Sequence, residues 1–333
     1  MKSPLIILLS GSLLVFSGCK GQKEFGTNLI SQAGTIDMPG VSGRIDHMDI
    51  DLDKNIVYVA ALGNNTLEVV DLNNKKVIHS IKGLSEPQGV GYIPQTQEIF
   101  VANGGNGDCY FYNAHSYEKV ATVSLGDNAD DVRYDAALEK IYVGYGSGGI
   151  AVIDAKTHKQ VADVNLPGHP ESFQIDKKLN LLFVNVPDAG IIGIIDLATM
   201  TLTGKWPTGS AKANFPMALD AASHQVIVGY RHPSIVVVYD GNTGKETSRN
   251  NMAGDADDLY FDGTTASVYT SNGDGFINIF KRGTTGAYEQ AANIATRSGA
   301  RTSLFIPELK LFVVAARAAS GKEAALLLYK SGK

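Results

Sequence analysis

The feature that most constrains this 333-residue chain is a short β-strand phrase that recurs seven times. Each copy places aliphatic or β-branched residues around one aromatic residue or isoleucine. The central residues are Tyr58, Phe100, Tyr142, Phe183, Ile227, Tyr269 and Phe312. Successive centres are 41 to 44 residues apart. A repeat of this length indicates either the blade of a β-propeller or a helical repeat unit.

The residues inside each period favour the blade. The aromatic strand follows a shorter strand that ends at an acidic or proline corner, and a Gly/Asn turn such as 63–65 leads into an apolar third strand such as 150–154. A second turn leads to a more polar fourth strand such as 119–123. No period shows the 3.6-residue spacing of a helix. The sequence therefore predicts an all-β fold, a seven-bladed β-propeller with four-stranded antiparallel blades.

The two ends of the chain are predicted to share the last blade. The seventh repeat stops after its third strand, 325–329, and segment 30–40 copies the fourth-strand phrase of segment 160–168. An N-terminal outer strand would complete the last blade and close the ring by backbone hydrogen bonds. Residues 29–330 are therefore predicted to form a single propeller domain.

Residues 1–18 have the features of a secretory signal peptide. One cation, Lys2, precedes an apolar run that is too short to span a membrane, and small residues lead to Cys19. Segment 16–19 resembles the bacterial lipobox, in which the cysteine is lipidated after cleavage. Ordinary signal-peptide cleavage near Ser17 is the alternative.

Residues 1–18 are accordingly predicted to be a lipoprotein signal peptide, and residues 19–28 a lipid anchor with a polar tether. The expected location is extracytoplasmic, anchored to a bacterial membrane and facing the periplasm or the cell surface. Lys20 follows Cys19 where an aspartate can signal inner-membrane retention, which favours the outer membrane. Cys109, the other cysteine, lies in an apolar strand phrase and is predicted to be a packing residue.

Charge and motif content exclude several ligands. The chain has 29 Lys and Arg against 34 Asp and Glu, a net charge of −5 without a basic cluster, so no nucleic-acid partner is expected. The glycine-rich segment 144–149 resembles a dinucleotide fingerprint, but a strand follows it instead of a helix, so no nucleotide cofactor is expected. Segment 49–55 begins like a calcium loop, yet Lys54 stands where glycine is required. We interpret that segment as a corner between strands.

The repeat resembles that of the bacterial YVTN-repeat β-propellers, which include the YncE-like proteins. The phrase Ile56-Val57-Tyr58-Val59, followed by Leu67-Glu68-Val69-Val70-Asp71, matches their strand, Gly/Asn turn and valine-rich strand ending in Asp. The resemblance covers residues 30–330. It implies a general binding scaffold in lipoprotein form. Because propellers also host lactonases, dehydrogenases and lyases, the fold does not decide the chemistry.

In a propeller, the loops that lead into the innermost strands meet at one mouth of the central channel. Polar groups that converge there are the first candidates for a binding site. At these positions the residues vary among His, Asn, Arg and acid, whereas the outer strands repeat their chemistry. The candidate ligand-binding residues of this channel mouth are Arg44, Asp46, His47, Glu86, Gln88, Asn128, Asp130, Asp131, His169, Glu171, Asn214, Asp255, Asp257, Asp258 and Arg301.

Acidic residues predominate in this set, with two arginines and two histidines beside eight carboxylates. So many carboxylates would repel one another unless cations or protonation offset them. One interpretation is a site for a cationic or polyhydroxylated small molecule or for a divalent cation, Ca²⁺, Mn²⁺ or Zn²⁺. The candidate metal ligands are His47, His169, Glu171, Asp130 and Asp257. The alternative is that these side chains cap turns and accept backbone N–H groups between blades.

Two functional hypotheses follow. The first is a membrane-anchored, extracytoplasmic binding module whose ligand, an unknown small molecule or protein, binds at the acidic mouth of the channel. The second is a metal-dependent hydrolase or lactonase in which His169 or Glu171 activates a metal-bound water. A purely structural partner of a surface complex is a third class, which would bind neither metal nor small molecule.

Overall fold

The protein is described by a computed structural model over residues 29–319 and 321–331. These residues form 28 strands in seven sheets, each sheet having four antiparallel strands, which confirms the predicted seven-bladed propeller. The predicted signal peptide, the lipidation site Cys19 and the tether lie outside the described residues. Within the described ranges, the helices are three short 3₁₀ turns, Leu62–Asn64, Pro187–Ala189 and Pro307–Leu309. None of the described helices is long and apolar enough to cross a membrane.

The strands follow the chain blade by blade. The first strand is β1 (Ile30–Met38). Blade 1 contains β2 (Met48–Asp51), β3 (Ile56–Ala61), β4 (Thr66–Asp71) and β5 (Lys76–Lys82). Blade 2 contains β6 (Pro87–Ile93), β7 (Glu98–Asn103), β8 (Asp108–Asn113) and β9 (Lys119–Ser124). Blade 3 contains β10 (Val132–Asp135), β11 (Lys140–Tyr145), β12 (Gly149–Asp154) and β13 (Lys159–Asn165). Blade 4 contains β14 (Phe173–Asp176), β15 (Leu181–Val186), β16 (Ile191–Asp196) and β17 (Thr201–Pro207).

The remaining three blades continue the same order. Blade 5 contains β18 (Lys212–Asp220), β19 (Gln225–His232), β20 (Ser234–Asp240) and β21 (Glu246–Asn251). Blade 6 contains β22 (Ala256–Asp262), β23 (Ser267–Asn272), β24 (Phe276–Arg282) and β25 (Tyr288–Ala295). Blade 7 contains β26 (Thr302–Ile306), β27 (Leu311–Ala316), β28 (Ala324–Ser331) and, from the other end of the chain, β1.

Strand β1 closes the ring. It pairs antiparallel with β28 from Ile30 opposite Ser331 to Met38 opposite Ala324, which confirms that the N-terminal strand completes the last blade. Its Ile36 and Met38 side chains are fully buried in an apolar cluster that also contains residues of blade 1, including Val57. The closing strand therefore contributes both hydrogen bonds and core packing.

Burial explains why the second and third strands of each blade are so apolar. Both faces of these strands are covered by neighbouring blades, so every residue of β3, β7, β23 and β27 is buried. The outermost strands alternate between covered and solvated faces, and β17 follows a strict exposed and half-exposed alternation. The difference in burial between inner and outermost strands follows from the position of each strand in its blade, and it matches the hydrophobic pattern of the repeat.

Every outermost strand carries an irregularity at its pairing with the third strand. The register shifts once in each of the seven outer ladders, for example between Val69 and Val70 opposite β5 and between Val152 and Ile153 opposite β13. A bulge twists an exposed edge and makes it a poor template for another strand. The outermost strands of the propeller are thereby protected against pairing with the strand edge of another molecule.

The acidic corners between first and second strands are turn caps. Asp51, Asp135, Asp176, Asp220 and Asp262 each accept a backbone N–H from two or three residues further along the chain. Segment 49–55 is therefore a strand corner, as interpreted from its sequence. The predicted packing role of Cys109 is also confirmed, because its side chain is fully buried.

Candidate functional site

A cavity of about 250 Å³ lies where the segments that precede the innermost strands converge. We call it the mouth cavity. Its walls contain 14 residues, and 11 of them belong to the set predicted from the sequence. These are Arg44, Asp46, His47, Gln88, Asn128, Asp130, Asp131, His169, Glu171, Asp257 and Arg301. The structure thus brings together predicted residues from six of the seven blades or the segments that lead into them.

Four predicted residues lie elsewhere. Glu86 is exposed beside the mouth, in a left-handed backbone conformation with φ 49°. Asn214 is fully buried, and its amide donates to Asn185 Oδ1 and the Ile191 carbonyl, both at 3.0 Å, which makes it a tie between blades. Asp258 lines a deeper cavity, and Asp255 lines a neighbouring one.

Sequence reasoning missed three residues of the mouth cavity: Ser172, Phe215 and Arg231. Arg231 comes from the end of the second strand of blade 5, and the segments searched were those before the innermost strands. Its guanidinium lies 4.1 Å from the centre of the Phe215 ring, a cation–π contact. The sequence feature that could have identified Arg231 is a basic residue at the end of a second strand that lies at the mouth. The repeat alignment did not compare this position between blades.

Arginines neutralise much of the acidic character that the sequence suggested. Asp257 pairs with Arg231, and its second oxygen lies 2.8 Å from Arg301 Nε. Arg44 Nη2 lies 2.6 Å from Asp46 Oδ2. The mouth is therefore a mixed arrangement of cations and anions, which offsets the repulsion expected from carboxylates alone.

Two pairs of consecutive aspartates, Asp130–Asp131 and Asp257–Asp258, occur at or near the mouth, and the two members of each pair make different contacts. Asp131 accepts the N–H of Phe173 at 3.3 Å, and Asp258 accepts the N–H of Ser303 at 2.6 Å, so both tie one blade to the next. Their neighbours Asp130 and Asp257 accept no backbone N–H among the described residues. Backbone bonding between blades therefore explains Asp131 and Asp258, whereas Asp257 pairs with two arginines and Asp130 lies near the two histidines.

His47 lies at the centre of the carboxylates. Its Nδ1 atom is 3.6 Å from Asp258 Oδ1, and its Nε2 atom is 3.8 Å from Asp46 and 3.9 Å from Asp130. Burial opposes the charged ring, but the contact with Asp258 and the other carboxylates outweigh it and hold the pKa of His47 well above its usual range. The imidazolium form is thus favoured at neutral pH.

His169 and Glu171 face the same cavity from the loop before blade 4. The Nδ1 atom of His169 donates to the Gly146 carbonyl at 2.6 Å, so its Nε2 atom points toward Asp130 at 3.8 Å. Burial works against protonation of His169, yet the contact with Asp130 and the bond to Gly146 raise its pKa to about 9.

Two carboxyl groups of the mouth are held partly protonated. Burial, with the negative charge of Asp130 adding to it, raises the pKa of Glu171 to about 8. Burial likewise raises the pKa of Asp46 to about 7, although His47 lowers it. The mouth therefore presents protonated carboxyls and imidazolium groups as donors beside ionised carboxylates as acceptors near neutral pH.

A second cavity, of about 410 Å³, continues from the mouth into the central channel, and His47, Asp131 and Ser172 line both. Its walls include apolar side chains and Arg133, which pairs with Asp131 and donates to Ser172 Oγ at 3.1 Å. Asp49, whose pKa burial raises to about 6, also lines this channel and accepts the N–H of Tyr92 at 2.6 Å.

The predicted metal ligands do not converge on one point. Among the residues that the structure describes, no group of three or more His, Cys, Asp or Glu side chains is arranged to hold a metal ion. Asp257 is engaged by two arginines, and His169 Nδ1 by a carbonyl. As arranged, these donors do not fit a divalent cation.

Comparison with known proteins identifies the fold. No family model and no curated protein matches this chain. Among solved structures, a chain of the "Crystal Structure of Mitotic Checkpoint Complex" superposes with a TM-score of 0.77 over 98% of this chain and 99% of that one, at 15% sequence identity. In all, 1798 chains of solved structures match, so the likeness indicates a propeller and no particular activity.

Proposed function

We propose that this protein is a binding module that holds a small, hydrogen-bonding molecule in the mouth cavity. The observation that carries the proposal is the set of half-buried polar groups around about 250 Å³, in which the carboxyl groups of Asp130 and Glu171 make no hydrogen bond among the described residues and His169 keeps its Nε2 atom for the cavity. A cavity that presents donors and acceptors side by side favours a ligand that offers both, such as a polyhydroxylated or zwitterionic molecule. A bare cation would satisfy only the carboxylates.

The proposal includes an extracytoplasmic position. The supporting feature is the signal-like segment 1–18 with Cys19 after it. A lipidated Cys19 would carry several acyl chains, enough for stable attachment to the outer membrane. A Cys19→Ala variant is expected to move from the membrane fraction to the soluble periplasmic fraction, and its retention on membranes would contradict lipid anchoring.

The test of ligand binding is a thermal-shift screen of the full-length chain in detergent against sugars, sugar alcohols, amino acids and short peptides. A true ligand raises the melting temperature, because it binds only the folded state. The His169→Asn variant is expected to lose most of this shift. His115→Asn, an exposed histidine in an outer turn of blade 2, is the matched control and should keep it. Equal shifts in both variants would contradict binding at the mouth.

The hydrolase hypothesis is tested by metal content and chelation. The arrangement of the described side chains favours binding without a metal ion. We therefore expect a substoichiometric content of Ca²⁺, Mn²⁺ and Zn²⁺ and no change of melting temperature with EDTA. A stoichiometric metal whose removal lowers the melting temperature by several degrees would instead favour the metal-dependent hydrolase or lactonase.

A further inference from the structure

A third cavity, of about 160 Å³, adjoins the mouth cavity on the side of blades 6 and 7. We call it the arginine cavity. Three arginines line it, Arg44, Arg301 and Arg317, together with one carboxylate, that of Asp255. Arg44 and Arg301 also line the mouth cavity, so they form the wall between the two.

The guanidinium groups of the arginine cavity have few partners. Within the described ranges, Arg44 makes one ion pair, to Asp46, and Arg301 makes two, to Asp255 at 2.9 Å and to Asp257 at 2.8 Å. Arg317 makes no hydrogen bond or ion pair with any residue in the described ranges. A guanidinium has five N–H donors, so most donors of the three remain available.

The single carboxylate of this cavity does not balance the three cations. Asp255 Oδ1 is shared, because it lies 2.9 Å from Arg301 and also 3.4 Å from Arg231 Nε. Arg44 is also paired with Asp46, and Arg301 with Asp257. The positive charge of this cavity that no described carboxylate pairs is therefore that of Arg317.

The position of Arg317 depends on a glycine. Gly299 has φ +78°, and a Cβ atom there would lie only 2.6 Å from Arg317 Nε and 2.9 Å from its Cζ. The guanidinium thus packs directly on the backbone of Gly299. This close approach places the exposed Arg317 guanidinium, which has no partner in the described part of the chain, at the cavity wall, where a larger residue at position 299 would displace it.

We propose that the arginine cavity binds an oxyanion, a carboxylate or phosphate group, of a ligand whose hydroxyl or amino groups occupy the mouth cavity. Arginine matches both oxyanions because its planar fork donates two parallel hydrogen bonds. This inference rests on the proposed function for the neutral part of the ligand. It adds that the ligand is an acid, such as a sugar acid, a sugar phosphate or an amino acid.

The first experiment measures inorganic phosphate and acetate binding to the full-length chain by calorimetry at low salt. We expect the Arg317→Ala variant to bind at least about tenfold more weakly than the wild type, the loss of one charge-assisted contact. Lys322→Ala, an exposed cation in the same β27–β28 connection that lines none of the three cavities, should bind as the wild type does. Equal affinity in the two variants, or no binding, would overturn the inference. Preference for phosphate or acetate identifies the oxyanion.

A second variant tests the geometry without removing the charge. Gly299→Ala keeps all three arginines but forces Arg317 to move, so it should weaken phosphate binding in the same direction as Arg317→Ala. Wild-type affinity in Gly299→Ala would contradict the positioned cation.

A comparison of gluconate with sorbitol separates this inference from the proposed function, because the two molecules differ in one carboxylate. Tighter gluconate binding that requires Arg317 supports both. If sorbitol and gluconate bind equally, the mouth binds its ligand but the oxyanion site is refuted. If phosphate binding requires Arg317 while neither sugar derivative nor any other small molecule binds, the oxyanion site holds and the proposed function of the mouth is refuted.

Discussion

Substitution of Glu171 by Gln should change how the stability of this protein depends on pH. Burial raises the pKa of Glu171 from 4.5 to about 8, so the folded state holds a proton that the unfolded state has lost between these values. Stability therefore falls as pH rises through this window. At about 1.4 kcal/mol per pH unit, the cost is about 2 kcal/mol at pH 6 and up to about 5 kcal/mol above pH 8. Partial solvation of this half-buried side chain makes these figures upper limits.

Glu171→Gln removes this cost, so its stability advantage over the wild type should grow by up to about 3 kcal/mol between pH 6 and pH 9. Urea unfolding followed by the fluorescence of Trp206, the one tryptophan of the chain, measures both proteins at each pH. Glu118→Gln, which alters an exposed carboxyl before an outer strand, should follow the wild-type profile. An advantage of Glu171→Gln that is the same at pH 6 and pH 9 would refute the raised pKa.

Two further predictions concern stability. Ile36→Ala removes a fully buried side chain of the closing strand and should cost about 2–4 kcal/mol of unfolding free energy, whereas Thr35→Ala, at its exposed neighbour, should change it by less than roughly 0.5 kcal/mol in urea titrations. Similar losses in both would show that β1 does not pack as described. Arg231→Met leaves Asp257 with one arginine in place of two and should destabilise the fold by about 2–4 kcal/mol, against less than about 1 kcal/mol for Arg249→Met, whose ion pair is exposed. If Arg231→Met loses no more stability than Arg249→Met, the ion pair of Arg231 at the mouth contributes no more to stability than an exposed ion pair.

The raised pKa values of the mouth also connect stability with binding. Asp46, His169 and Glu171 all hold protons in the folded state that they would release, at neutral to alkaline pH, on unfolding. A ligand that pairs with the protonated groups should bind more weakly as pH rises through 7 to 9, because the donors are then lost. Binding and stability therefore respond to pH in the same direction.

The fold could be predicted in detail because its information is local. A 41 to 44 residue period, strands of alternating or continuous apolar pattern and Gly/Asn turns each depend on neighbours in the chain. Even the shared last blade was visible, since β1 repeats the phrase of an outer strand. Eleven of the 14 mouth residues could be predicted for the same reason, because they lie just before or at the start of an innermost strand.

The charge arrangement could not be predicted, because it depends on which strand ends meet. Arg231 reaches Asp257 across a blade boundary, and nothing in the sequence around either residue indicates that contact. Adjacent residues of an extended chain point to opposite sides, so Asp130 and Asp131 have different surroundings although their sequence context is the same. Both line the mouth cavity, but only Asp131 also lines the channel and ties two blades together.

The sequence by itself determined the architecture, the closure of the ring and most of the residues that line the mouth cavity. Only the tertiary structure decided that arginines offset the acidic mouth and that, among the described residues, the proposed metal ligands do not converge and Arg317 has no partner. The physical reason is the separation along the chain of the groups involved. The strands and turns of a repeat depend on residues that are close in sequence, whereas a charged side chain interacts with whatever side chains the closed ring brings within a few ångströms of it.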